Sequence, residues 1–491
     1  MRRPRRLLTL LVAIIVAYSL FTVLTNNSSY RRSAAEEEPD SFDNGDKSRA
    51  PKNNRPAPVP DRPEDPGARN GRPHPKYKPS PTDKPSPIQD PFPLLAKSTP
   101  PPIPEWNRAK PDLHKKYDIA FAPPLLVGFG RNWPMLLQTV VSYITAGWPA
   151  EQIYVIENTG VQASNKKGKL SLQNPFYLNY DQLKKLGVNV VQAPVLMTFA
   201  QLQNFYIHLA NEHDWPFYFW SHMDVLALSF EDGEDGRPKY NETGYMTIYE
   251  LALKALKEAV DTDDQWGLRF FAYDHLALVN RKAYEDVGGW DVMIPFYIGD
   301  CDMHSRLTMA GWSQRDAKAG IVTDVALALD DLLALYRVPG LKPSFTDPSP
   351  PPPEKGKKKG GKKGRRDETK EDERTEEEKL QEAELLKADQ LKDNEDPLEK
   401  WKALKKTADD MFHHKHGNTG PLGRNTWQQG QHGGVGEPYY YPNDGLHEAI
   451  EIITEAGRQV YAKKWGHRGC DLIDGAGLEL WDQWKVKQDW N

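Results

Sequence analysis

Cysteine is scarce, with only Cys301 and Cys470 among 491 residues. That excludes a disulfide-stapled scaffold and a zinc domain built on cysteine, while leaving one possible bridge. A strong excess of one charge is also absent: 64 Lys and Arg stand against 69 Asp and Glu, a net charge of −5. The chain is therefore not a generally basic nucleic-acid binder, and no nucleic-acid partner is expected. Hydrophobic residues make up only 38% and charged ones 27%, with 41 prolines. A chain this polar must dilute its folded core with unstructured sequence.

The one long apolar run is LLTLLVAIIVAYSLFTVL, Leu7 to Leu24, which carries no charge and follows Arg2, Arg3, Arg5 and Arg6. Eighteen such residues just suffice to span a bilayer. The arginines hold the short N-terminal tail in the cytosol and send the rest of the chain into the lumen, as a single-pass type II membrane protein. A cleaved signal peptide is the rival reading, but the run exceeds the usual length and no convincing small-x-small site follows it. So short a span suits the thin membranes of the ER or Golgi. The triplets Asn26-Asn27-Ser28, Asn27-Ser28-Ser29 and Asn241-Glu242-Thr243 fit glycosylation acceptors and agree with lumenal exposure.

Composition divides the remainder. Residues 1–6 read as a cytosolic tail, 7–24 as the anchor, and 25–116 as a Pro-rich disordered stem, with 18 prolines between Pro51 and Pro104. Residues 117–345 carry alternating strand and helix signals. Strands are expected at Leu125–Phe129, Ile153–Ile156, Val188–Val191, Phe217–Trp220 and His275–Val279. Helices are expected from Asn132 to Ala146, after Phe199, and from Thr247 to Val260. This alternation predicts an α/β, Rossmann-like domain: a mostly parallel sheet with helices on both faces, binding ligands beyond the strands' carboxyl ends. Residues 346–397 read as a low-complexity insertion, Pro-rich at Pro348 to Pro353, then basic, then acidic. Residues 398–491 resume the pattern as a C-terminal part of the same domain.

Three strand ends or following loops carry chemistry. His222 and Asp224, two residues apart after the fourth strand, fall on one side of an extended backbone and could ligate a hard divalent cation; a capped strand end is the bland alternative. Gly288-Gly289-Trp290-Asp291 combines close backbone approach with an indole on which a sugar could stack. Asp300 and Asp302 could serve chemistry or merely favour a helix N-terminus. The cluster His413, His414 and His416, interrupted by Lys415, reads as a solvated turn rather than a site for zinc or the catalytic metal, and Asp324 as a surface carboxylate rather than a further metal or nucleotide contact.

Together these features resemble the nucleotide-sugar-dependent glycosyltransferases of the GT-A fold, especially the family 2-like group, over roughly Pro124 to Leu307. The resemblance implies transfer of a sugar from a nucleotide-sugar donor to a glycan or glycoconjugate acceptor, with Mn²⁺ or Mg²⁺ on the donor diphosphate. By it Glu157 and Asn158, with Arg131, contact the nucleotide. His222 and Asp224 stand for a DxD metal motif, and Asp224 also contacts the donor. Trp290 and Asp291 belong to the acceptor segment. Asp300, followed by Asp302, is the candidate catalytic base. His222 replaces the first Asp and Gly299 the usual Glu, departures that feed a rival reading: a catalytically silent protein of this fold that binds glycans or assembles complexes. Tyr461 to Gly466 looks like the Y-x-x-K-W-G segment found near the end of some such enzymes.

Overall fold

The computed structural model describes residues 75–78, 87–347, 396–417 and 433–490. The expected membrane anchor, the triplets at Asn26 and Asn27 and all but the ends of the expected insertion lie outside them. Among the described residues no helix is long and apolar enough to cross a membrane.

Seven strands form the central sheet: β1 (Leu125–Phe129), β2 (Ile153–Glu157), β3 (Asn189–Gln192), β4 (Phe217–Ser221), β6 (Trp266–Phe270), β7 (Leu276–Asn280) and β8 (Ser313–Asp316), in the order β3-β2-β1-β4-β7-β6-β8. The pairs among β3, β2, β1 and β4 are parallel, as is β6 with β8, whereas β7 runs antiparallel to β4 and β6. A short ribbon pairs β5 (Val225–Leu228) with β9 (Ile321–Asp324). The expected mostly parallel α/β sheet is thus present, with one reversed strand inserted beside β4.

Both faces of the sheet are covered, as the side-chain period of two requires. Along β1, Leu125, Val127 and Phe129 enter one core layer and Leu126 the other; along β4, Phe219 faces the first while Tyr218 and Trp220 face the second. The helix Trp133–Thr145 packs on the first face. Asn132 caps it by accepting the Met135 amide at 3.3 Å, and Pro134 sits in its first turn. The helix Phe199–Glu212 packs on the second face and opens with a capping box between Thr198 and Gln201. Gly128 lets this helix approach: a Cβ there would lie 2.5 Å from the Tyr206 hydroxyl.

Order begins earlier than the Pro-rich composition suggested. Phe92 and Leu95 are fully buried in the main core. The carboxylate of Glu231, itself buried, accepts from Trp106 Nε1 at 3.0 Å, Asn107 Nδ2 at 2.8 Å and Arg337 Nη2 at 2.8 Å. Residues 87–116 are therefore folded onto the α/β body, because apolar side chains spaced among the prolines find a surface to bury. Cys301 and Cys470 form a disulfide, which ties the helix Gly299–Met309 to the C-terminal segment.

Candidate functional site

The carboxyl ends of β1, β2 and β4 lie on one rim of the sheet, and strand pairing adds the turn before β7 to it, since Ser221 pairs with Leu276. This rim receives Arg131, Asn158, His222 and Asp224, together with Tyr273, Asp274 and His275. Ser221 anchors the junction by donating to the His275 carbonyl at 2.7 Å.

His222 Nδ1 lies 3.6 Å from Asp224 Oδ1, and its Nε2, buried and without a hydrogen-bond partner, lies 3.6 Å from Asp274 Oδ2. Burial by itself lowers the basicity of His222, but the negative charges of Asp274 and Asp224 outweigh it and raise the pKa to about 10. Asp274 is correspondingly held below its ordinary value despite its burial, by the charge of His222. The neighbouring His275 is lowered, by burial and then by the proximity of His222.

Asp224 has a second partner that sequence reasoning missed. Lys415 Nζ donates to Asp224 Oδ2 at 2.8 Å, to Asp324 Oδ1, and to the Val325 carbonyl at 3.1 Å. The β5–β9 register sets Asp324 opposite Val225 and so beside Asp224. Against the desolvation that burial imposes, Lys415 and then His222 hold the Asp224 carboxyl far below the usual range. Asp324 is 3% exposed rather than a surface carboxylate, and His416 Nε2 meets its Oδ2 at 2.9 Å. The segment read as a solvated turn is the end of the long helix Pro397–Gly417. Its buried positions Trp401, Leu404, Ala408, Met411 and Lys415 repeat every three or four residues, a signal in the sequence that Lys415 faces inward.

The expected Mn²⁺ or Mg²⁺ does not fit this arrangement. The carboxylates that would receive the ion already share an ammonium. At about 4 Å and an effective dielectric of about 20, unit charges interact by about 4 kcal/mol, so Lys415 cancels roughly 8 kcal/mol of the attraction that the two carboxylates offer a doubly charged ion, and it fills the space between them. Among the described residues no group of three or more His, Cys, Asp or Glu side chains is arranged to hold a metal ion.

Glu157 and Asn158 are committed to the fold. Glu157 is fully buried and accepts from Asn165 Nδ2 at 2.7 Å, from Thr159 Oγ1 at 3.1 Å and from the Tyr180 hydroxyl. Asn158 clamps Met197 through both ends of its amide, at 2.8 and 2.7 Å. Arg131 is buried and donates to Asn443 Oδ1 at 3.3 Å; burial lowers its pKa to about 10, so it remains cationic at neutral pH.

The segment expected to meet an acceptor is likewise locked. Trp290 is 4% exposed, with Phe199 edge-on at 5.2 Å between ring centroids, so its indole faces are core surface rather than a platform for a sugar. Asp291 accepts from Lys464 Nζ at 2.7 Å. Asp302, 1% exposed, accepts from Arg306 Nε at 2.8 Å, Trp465 Nε1 at 2.9 Å and Lys464 Nζ at 2.7 Å. It has no room to act as a base. The Tyr461–Gly466 segment thus supplies the cation and the indole that bind Asp302. Asp300 differs: it is half-buried at the start of the helix Gly299–Met309 and accepts from the exposed Tyr273 hydroxyl at 2.9 Å. Nearby His304 is held neutral by burial, its pKa lowered even beside Asp300 and Asp274.

No protein-family model and no curated protein sequence matches this chain. Among solved structures it is similar to the mannosyltransferase PcManGT from Pyrobaculum calidifontis in complex with GDP-Man and Mn²⁺, at 12% identity and a TM-score of 0.27. That match covers 42% of this chain and 60% of the mannosyltransferase. It is also similar to a cytidylyltransferase from Leptospira borgpetersenii serovar Hardjo-bovis, at 11% identity and a TM-score of 0.23, over 40% of this chain and 76% of that one. Overlap this small transfers no residue role, so the roles in this chain stand on its own geometry.

Proposed function

We propose that this protein is a GT-A-type glycosyltransferase of the ER or Golgi lumen, anchored by Leu7 to Leu24 as a type II membrane protein, which moves a sugar from a nucleotide-sugar donor to a glycan or glycoconjugate acceptor. The observation that carries the reading is the single rim on which Arg131, His222 and the Asp300–Tyr273 pair follow the carboxyl ends of a mostly parallel sheet. Of the acidic candidates in the later segment, Asp300 alone keeps an open carboxylate, while Asp302 is saturated by three donors. Asp300 takes the proton of the acceptor hydroxyl as that oxygen attacks the anomeric carbon, with Tyr273 holding the carboxylate. Arg131 and His222 offset the charge that develops on the departing nucleoside diphosphate. The lumenal address is supported by the disulfide, which persists in oxidising compartments, and by the exposure of Asn241 in its Asn-Glu-Thr triplet.

The commitment of Glu157, Asn158, Trp290 and Asp302 to internal contacts favours, as a second reading, a silent protein that keeps the fold to bind glycans. The two separate when the full-length chain in detergent is incubated with a panel of nucleotide sugars and glycan acceptors. Release of nucleoside diphosphate that requires Asp300 supports the enzyme; glycan binding with no release from any donor supports the silent protein.

A further inference from the structure

Asp224 and Asp324 come from different parts of the chain, one after β4 and one at the end of β9, and antiparallel pairing sets them side by side with His222 and His416 at their edges. Two adjacent carboxylates carry the charge and the oxygen atoms that attract a divalent cation. Here the space between them is filled by Lys415 Nζ, whose three protons go to Asp224 Oδ2, Asp324 Oδ1 and the Val325 carbonyl. The side chain of Lys415 is 2% exposed. Its position does not depend on the two carboxylates alone: Trp401, Leu404, Ala408 and Met411 bury the same face of its helix, and Trp401 Nε1 donates to the Ser229 carbonyl at 3.0 Å. Those contacts hold in place the helix that carries Lys415.

We propose that Lys415 is a resident cation that takes the place of the divalent metal, so that this site accepts a nucleoside diphosphate without Mn²⁺ or Mg²⁺. The inference rests on the glycosyltransferase reading for the identity of the ligand, but the claim about Lys415 concerns the protein alone. With all three protons engaged, Lys415 is a positioning residue: it offsets one of the two negative charges of Asp224 and Asp324, which lessens the repulsion a diphosphate would meet, and it fixes the loop carrying His222.

The test titrates Mn²⁺ alone into the EDTA-treated full-length chain in detergent, followed by calorimetry and by the paramagnetic signal of the free ion. The wild type should take up no Mn²⁺ tighter than about millimolar, whereas Lys415→Ala, which opens the carboxylate pair, should gain one ion with affinity improved by roughly 100-fold or more. Adding Asp324→Asn to Lys415→Ala should remove that gain. Lys415→Gln, closer in volume, serves in its place if the alanine variant does not fold. Micromolar uptake by the wild type that is lost in Asp224→Asn overturns the proposal, and so does equal uptake by wild type and variant. In parallel, UDP and GDP are titrated with EDTA and with Mn²⁺. Binding that persists in EDTA agrees with a resident cation, and binding only with Mn²⁺ overturns it while leaving the glycosyltransferase reading intact. If neither nucleotide binds under either condition, the glycosyltransferase reading falls, and the Mn²⁺ titration still decides the role of Lys415.

Discussion

Replacing Asp302 by alanine should cost the fold about 3–5 kcal/mol, the scale for removing one partner from a buried, hydrogen-bonded charge network. The carboxylate accepts from Arg306 at 2.8 Å, Trp465 at 2.9 Å and Lys464 at 2.7 Å, and all four residues are nearly inaccessible to water. Its loss leaves Lys464 with Asp291 alone and frees Arg306, which also holds the Val287 and Gly289 carbonyls at 2.6 and 2.8 Å. With roughly 345 described residues and an unfolding entropy of about 2.1 cal/mol/K per residue, the thermal midpoint should fall by roughly 4–7 °C. Differential scanning calorimetry of Asp302→Ala, Lys464→Met and the double variant measures this. The double variant should lose less than the sum of the singles, by about 1–3 kcal/mol, because the first change already removes the interaction. A midpoint within about 1 °C of wild type for Asp302→Ala, combined with abolished turnover, would refute the structural role and return Asp302 to the chemistry.

Converting Cys301 and Cys470 to serine, singly or together, should lower stability by about the same amount each time, up to about 5 kcal/mol for a loop closed over 169 residues; additive losses in denaturant melts would show that the cysteines act separately. For His222, whose pKa rises to about 10 because Asp274 and Asp224 outweigh burial, the stabilising contribution is full below the unfolded value of about 6.5 and is lost as pH rises through about 10. The gap in thermal midpoint between wild type and His222→Gln should therefore narrow from pH 6 to pH 10, and a constant or widening gap would contradict the ion-pair assignment. Phe92→Ala should cost about 3–5 kcal/mol although it lies in the Pro-rich region, because the ring is fully buried; an unchanged urea midpoint would detach residues 87–116 from the core.

Much of the sheet is legible in the sequence because β1, β2, β4 and β7 are short apolar runs buried on both faces. Of the strands not anticipated, two in the central sheet lack that mark, whereas β5, Val-Leu-Ala-Leu, carries it but follows β4 too closely to stand out as a separate strand. β8 reads Ser-Gln-Arg-Asp on the sheet edge, and β6 is interrupted by Gly267 and Arg269. Side chains of the right type were found at the rim, but their availability was not legible, since it depends on partners far along the chain. Lys415 lies 191 residues from Asp224, and Trp465 lies 163 from Asp302. The one available hint was the heptad-like stripe from Trp401 to Met411, which extends onto Lys415. Nothing in local sequence separated the open Asp300 from the saturated Asp302, two residues away on the same helix turn.

The most direct test of glycosyl transfer compares nucleoside diphosphate release by the full-length wild type and by Asp300→Asn, with nucleotide affinity measured on both. Loss of a general base predicts turnover lower by roughly two to four orders of magnitude at unchanged affinity, whereas release at the wild-type rate by Asp300→Asn would contradict the account.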